Sequence, residues 1–339
     1  MPEAIEIGGP YFEDFVRGQE FDSPGVTLTV GHAAWHQAVT GDRLRLVLDQ
    51  HVSRIVTGRQ EPLAHPMLVA NVAIGQSTEP SQRVKGNLFY RGLVFRRPVY
   101  IGETLCSTTR VVALRQSQVR PGRPATGLVA LEIETRNQDG QQLLHFWRCP
   151  LIPCRDPNVQ TGWRDDLDGI GKGALQADID GARPDSWHLD GLAERWGEGR
   201  GAQHLQPDTR FSVQACDTIT CAPELVRLTL NLAVAHTDSR ESYLGRRLVY
   251  GGHTLSVAFS QATRALPKLL TILAWESCEH IAPVMEGDRI RTEVTVLEVA
   301  SAPAGATPIK LGIRSFAAGP GANDEERLVI DWVIWVLSL

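Results

Sequence analysis

Apolar and polar residues alternate with a period of two along "CSTTRVVAL" (106–114) and again along "RTEVTVLEV" (291–299), the pattern of half-buried strands. The frame before each stretch is shared. "RPVYIGETL" (97–105) and "APVMEGDRI" (282–290) both read P-V-x-x-G-[DE]-x-[LI], with Gly102 and Gly287 185 positions apart. A chain that repeats a frame at this distance carries a duplicated unit.

The upstream segments extend the repeat. "TLT" (27–29) matches "TIT" (218–220), and "TGDRLRLVLD" (40–49) falls opposite "TLNLAVAHTD" (229–238), which sets Asp42 against Asn231 and Val47 against His236. Two nearly unbroken apolar runs, "HPMLVANVAIG" (65–75) and "GGHTLSVAFSQ" (251–261), read as buried helices and place Pro66 against Gly252. Each half then closes with two more strands. These are "GLVALEIETRNQDG" and "QQLLHFWRCPLI" in the first half, "IKLGIRSFAAG" and "RLVIDWVIWVLSL" in the second; N-Q-D-G and P-G-A-N supply antiparallel turns.

One apolar helix wrapped by an antiparallel sheet, repeated once, predicts an α+β double hotdog. An N-terminal module covers 10–155 and a C-terminal module 213–339; between them, over 156–212, periodicity fades and Gly, Asp, Arg and Trp accumulate as in a linker. Pairing of the modules within one chain removes the need for a dimer to complete a hotdog pair and leaves a homo-oligomer open.

Composition narrows the function. The 339 residues are 42% hydrophobic and 22% charged, with no apolar run near the ~18 residues that span a membrane, so neither a membrane nor a nucleic-acid partner is expected at a net charge of -5. The six cysteines form no C-x-x-C pair, which argues against zinc and, with a start lacking a secretory pattern, for reduced thiols in a cytoplasmic protein.

Several longer strings then carry a resemblance. "YFEDFVRGQEFDSPGVTLT", "NLFYRGLVFRRPVYIGETL", "RNQDGQQLLHFWR" and, in the second half, "LNLAVAH" with "GRRLVYGGHTLSVAF" resemble the two-domain MaoC-like dehydratases, in particular the mesaconyl-CoA hydratases (β-methylmalyl-CoA dehydratases). The resemblance spans nearly the whole chain. It implies a double hotdog hydro-lyase that adds water reversibly across the double bond conjugated with an acyl-CoA thioester, here a branched dicarboxylic one. No metal and no cofactor is implied beyond the CoA of the substrate.

The general pattern of that superfamily is D-x-N-x-x-H followed by H-G-M. The first module keeps Asp42 but has Leu44 and Val47 in place of the Asn and His; the second has Asn231, Ala233 and His236. The Asn and His spaced five apart resemble the mesaconyl-CoA hydratase arrangement, so the site is expected in the second module, with His236 as base and Asn231 orienting water or thioester. A histidine flanked by "AVA" and "TD" is also a common packing residue. The repeat and the family motif together favour catalysis.

Gly251 and Gly252 open the second helix, where glycine would let a thioester oxygen reach free backbone N–H groups; close helix packing is the bland alternative. His253 then falls at the Met position and either faces the pocket or caps the helix. In the first module His65 stands at the H-G-M histidine, but Pro66 removes a donor, which marks that module as degenerate. Asp42 is left a structural role beside Arg43 or as a cap. A substrate carboxylate would need a cation, and Arg43, Arg45, Arg240 and Arg246 lie in the relevant segments. Three other readings stay open: an R-specific monocarboxylic enoyl-CoA hydratase, a hotdog thioesterase, disfavoured because "TLSVAFSQATRAL" lacks an acid, and a non-catalytic acyl-CoA-binding protein.

Overall fold

The computed structural model describes residues 4–5, 7–118, 122, 124–173, 176–197, 199–242, 244–300, 305–321 and 324–339. The first half contains β1 (Glu20–Asp22), β2 (Val26–Thr27), α1 (Val30–Thr40), α2 (Arg45–Leu48), α3 (Gln50–Thr57) and α4 (Pro66–Gln76). Four long strands follow: β3 (Gly86–Phe95), β4 (Thr104–Gln116), β5 (Thr126–Arg136) and β6 (Gln142–Pro153). After two short helices, α5 (Gln176–Gly181) and α6 (Leu192–Arg195), the order recurs as β7 (Arg210–Thr218), α7 (Ala222–Leu228), a 3-10 turn (Val234–His236) and α8 (Gly251–Ala265). The chain closes with β8 (Leu269–His280), β9 (Arg289–Val299), β10 (Thr307–Ala318) and β11 (Arg327–Ser338). The expected P-G-A-N turn lies partly outside the described residues, at 322–323.

All eleven strands belong to one antiparallel sheet in the order β1-β4-β5-β6-β3-β8-β11-β10-β9-β7, with β2 on β4. The halves join where β3 pairs β8, through Tyr90 opposite Cys278. Continuity across this seam satisfies the edges that two separate sheets would expose. The sheet wraps α4 and α8, and every residue of α4 is buried. The two helices meet through Asn71, whose Nδ2 donates to Ser256 Oγ at 2.9 Å.

The duplication extends to single hydrogen bonds. Gln76 and Gln261 each donate Nε2 to a strand carbonyl at 2.8 Å, of Leu105 and Ile290 respectively, and these pairs lie 185 positions apart. Asp42 Oδ1 accepts the Leu44 N–H at 2.6 Å as Asn231 Oδ1 accepts the Ala233 N–H at 2.9 Å, at an offset of 189. The offset of 185 corrects the pairing of the helix starts. Pro66 matches Gly251, Met67 matches Gly252, and His65 matches Tyr250, so His253 does not occupy the Met position.

The connection between the halves packs onto the molecule. Ile179, Ala182, Trp187 and Leu192 are buried in a cluster with Leu270, Leu273 and Trp335. Among the described residues, no helix is long and apolar enough to cross a membrane.

Candidate active site

The two helix starts differ in how their first amides are met. In the first half His65 caps α4: its Nδ1 accepts the Met67 N–H at 3.0 Å, and Pro66 brings no N–H at all. At α8 Tyr250 offers no side-chain cap; the His253 amide donates to the Tyr250 carbonyl at 2.9 Å, and the Gly251 and Gly252 amides, which have no intrahelical acceptor, stay available. The second start opens onto a cavity, whereas the depression beside Pro66 at the first holds only about 20 Å³. A space of about 210 Å³ is lined there by His236, Asn231, Tyr250 and Gly251, with His280 from the end of β8 and Arg148 from β6.

His236 sits at the end of its 3-10 turn, and its Nδ1 lies 2.9 Å from the Leu248 carbonyl. A carbonyl only accepts, so Nδ1 carries the proton and Nε2 is left with its lone pair. Burial lowers the pKa of this ring, partly countered by the bond to Leu248, which keeps it neutral and basic near pH 7. Asn231 spends its Oδ1 on the turn that shapes the loop; its amide Nδ2 remains a donor at the cavity wall.

Gly251 answers why a helix start should lack a side chain. A Cβ there would collide with the His280 imidazole, and one at Gly252 would collide with Asn71 Oδ1 and the Tyr250 ring. Glycine at 251 thus lets His280 lie against the helix backbone inside the cavity, whereas Gly252 serves packing and does not line it. Both ring nitrogens of His280 lack a partner, and burial, with His236 nearby, pushes its pKa down to about 4. The Tyr250 phenol is raised well above 10 by burial, so it stays protonated.

His253 does not line the cavity either. It points into the first half and is 1% exposed with Nδ1 unpartnered; burial pushes its pKa down to about 4. There it joins a buried polar group in which the His36 and His65 rings are 4.9 Å apart and His65 Nε2 lies 3.1 Å from Asp42 Oδ1. His253 and His65 both depress the pKa of His36, after burial itself. Asp42 therefore answers to His65 and the Leu44 amide. It neither pairs with Arg43 nor reaches the cavity of His236.

The cations at the cavity, Lys85 at its rim and Arg148 in its wall, are none of the four the sequence suggested. Arg43 and Arg45 lie in a separate surface depression with Arg264; Arg246 lies in another, and Arg240 pairs with Asp238. Of the two, Arg148 is the buried one. It is 2% exposed, and its Nη2 donates to the Ser77 carbonyl at 2.5 Å and Ser81 Oγ at 2.6 Å. No carboxylate among the described residues pairs with it, so a positive charge stands buried beside two tyrosines, Tyr90 and Tyr250. Its signal was in the sequence: Leu144, Phe146 and Arg148 occupy successive inward positions of β6, where an arginine is out of place. Tyr250 and His280 offered no such signal, since only the fold brings them to His236.

No family model matches the chain. A β-methylmalyl-CoA dehydratase of Chloroflexus aurantiacus is 28% identical over 291 residues, 83% of this chain and 80% of that protein. Among solved structures, a conserved hypothetical protein of Mycobacterium tuberculosis, described as a double hotdog fold, is 42% identical with a TM-score of 0.90, covering 99% of this chain and all of the other. A putative MaoC domain protein dehydratase from Chloroflexus aurantiacus is 25% identical with a TM-score of 0.82 and covers 99% of both chains.

Proposed function

We propose that this chain, which belongs to the two-domain MaoC-like dehydratases of double hotdog fold, is a hydro-lyase that hydrates an enoyl-CoA thioester reversibly at the cavity of its second half. The observation that carries the proposal is the His236 ring, fixed by Leu248 with Nε2 free, in one cavity with the uncapped start of α8.

In the direction of hydration, His236 Nε2 takes a proton from water as the oxygen bonds to the β-carbon of the enoyl group. Electron density moves through the α-carbon to the thioester oxygen, where the Gly251 amide and the positive end of α8 stabilise it. Protonated His236 then returns that proton to the α-carbon, so the site ends as it began. Asn231 Nδ2 orients the water or the thioester. The chemistry uses acid–base groups of the chain alone, with CoA as part of the substrate.

The acyl group is the short branched dicarboxylic one of mesaconyl-CoA, giving β-methylmalyl-CoA. Two features support this. A cavity of about 210 Å³ suits a short acyl group, below the roughly 300–1,000 Å³ of drug-sized ligand sites. A buried guanidinium without a counter-charge is costly, and the free carboxylate of the substrate would supply the missing anion. The test compares mesaconyl-CoA with crotonyl-CoA by loss of the enoyl thioester absorbance. A higher kcat/KM for mesaconyl-CoA is expected; preference for crotonyl-CoA would assign an ordinary monocarboxylic hydratase, and no turnover of either would remove the hydratase reading.

A further inference from the structure

The cavity contains a second histidine to which the hydration steps assign no role. His280 closes β8 and faces inward two residues beyond Cys278, beside the β3–β8 seam. The Tyr90 ring lies against it with centroids 5.5 Å apart, and its Nε2 rests where a Cβ of residue 251 would stand. Both ring nitrogens are buried without a hydrogen-bond partner.

Buried polar atoms are nearly always paired, so an orphan in a cavity wall points to what fills the cavity. Here two orphans are neighbours. The Gly251 amide has no intrahelical acceptor and His280 Nε2 rests against the same residue, yet no hydrogen bond joins them. One acceptor atom between them satisfies both once Nε2 carries the proton. His236 is held in one tautomer by Leu248, whereas among the described residues nothing bonded to His280 opposes the Nε2–H form.

The first half lacks both donors together. The offset of 185 sets Pro66 against Gly251 and Phe95 against His280, and Pro66 and Phe95 line one depression of about 20 Å³. Proline brings no N–H and phenylalanine no polar atom. A glycine with a histidine thus stands where the space is open, and a proline with a phenylalanine where it is closed.

The charge state suits a donor that keeps its proton. Burial first, then His236, pushes the His280 pKa down to about 4, so the ring is neutral near pH 7. Once His236 has taken a proton from water, its charge opposes a second one on His280. The other titratable groups around the ring agree: burial raises the Tyr90 and Tyr250 phenols, Arg148 and Lys85 are cationic, and among the described residues no carboxylate lines the cavity.

We propose that His280 is a second catalytic residue, a neutral imidazole whose Nε2–H donates, beside the Gly251 amide, to the thioester oxygen as that oxygen gains enolate charge. The proposal rests on the enoyl-thioester reading of the cavity. No proton leaves His280 at any step. His236 alone takes and returns the proton, while His280 and Gly251 stabilise the enolate between the two transfers.

The experiment sets His280→Phe, which copies the first half, and His280→Leu against the wild type on mesaconyl-CoA. Both remove the donor without removing a hydrogen bond that the free protein makes, so the fold is expected to hold, and either variant that passes thermal unfolding serves. The expected loss is about 10²–10³ in kcat with KM changed less than about threefold. A second readout is the infrared stretch of the thioester carbonyl of mesaconyl-CoA bound to His236→Gln. It is expected to lie below that of the free ligand and to move back when His280→Leu is added. A loss carried by KM alone, or a stretch indifferent to His280→Leu, overturns the donor and leaves the hydratase reading intact. If the wild type hydrates neither mesaconyl-CoA nor crotonyl-CoA but the stretch still depends on His280, the donor stands and the reaction is wrong. Absence of both turnover and that dependence overturns both.

Discussion

The two halves of this molecule share a fold to the level of individual hydrogen bonds and differ in what they do with the space at their helix starts. In the first, that space is filled: His65 caps α4, contacts Asp42, and is packed by His36 and by Phe259 of α8, with His253 acting on His36 from the same helix. In the second it is open, with Tyr250 in place of His65, Asn231 in place of Asp42 and His236 in place of Val47 around a cavity. The difference teaches that retaining acid and histidine is not enough. The first half keeps both side chains and spends them on each other, whereas the second lacks the acid yet has a base with a fixed tautomer, free amides and room for a ligand.

The largest effect should come from breaking the filled half. His65→Leu removes the α4 cap and the ring beside the buried Asp42 carboxylate, a loss of about 2–4 kcal/mol seen as a lower denaturation midpoint. If stability were unchanged, the pairing of Asp42 with His65 would not hold that half together.

Acid should next act on both halves. The pKa values of His253 and His280 lie near 4, below the usual 6.5, so the folded chain binds fewer protons than the unfolded chain between those values. Stability is therefore full above pH 6.5 and falls as pH drops towards 4, by on the order of 3 kcal/mol for each ring. Denaturant midpoints against pH should show this slope, and His253→Leu should make it shallower by one ring's share. An equal slope in that variant would place the proton uptake elsewhere.

Arg148→Met should lower kcat/KM for mesaconyl-CoA by about 2–3 kcal/mol, roughly 30- to 150-fold, and shift preference towards crotonyl-CoA. A proportional loss for both substrates would make Arg148 a structural residue only. A smaller effect, about 1–3 kcal/mol, is expected from Gly251→Ala, which forces His280 out of place, while Pro66→Ala at the matching position stays within about 1 kcal/mol. Equal activity losses at the two positions would erase the distinction between the helix starts.

The strands of both halves were legible in the sequence because each buries one face, and alternation such as that of "RTEVTVLEV" fixes both its class and its register. The helix starts were less so. Every residue of α4 is buried, so no polar stripe marks its rotational phase, and a pairing one residue out looks equally good. That single step rotates a helix by about 100°, enough to turn His253 from the first half, where it packs, into the site of the second. The matched glutamines Gln76 and Gln261 were the remaining polar markers of the phase. The motif spacing did bring His236, Asn231 and Gly251 to one cavity, because they lie within one continuous stretch. Arg148 and His280 arrive from distant strands through the β3–β8 seam, which no local pattern encodes.

The most direct measurement sets His236→Gln beside Asp42→Asn, the latter giving the first half the residue that the second half already has. Both keep local hydrogen-bonding capacity, and both are assayed for kcat on mesaconyl-CoA by thioester absorbance after thermal unfolding confirms the fold. The expected result is a loss of about 10²–10⁴ at His236 and less than about threefold at Asp42. Loss of activity at Asp42 with His236→Gln still active would contradict the assignment of catalysis to the second half.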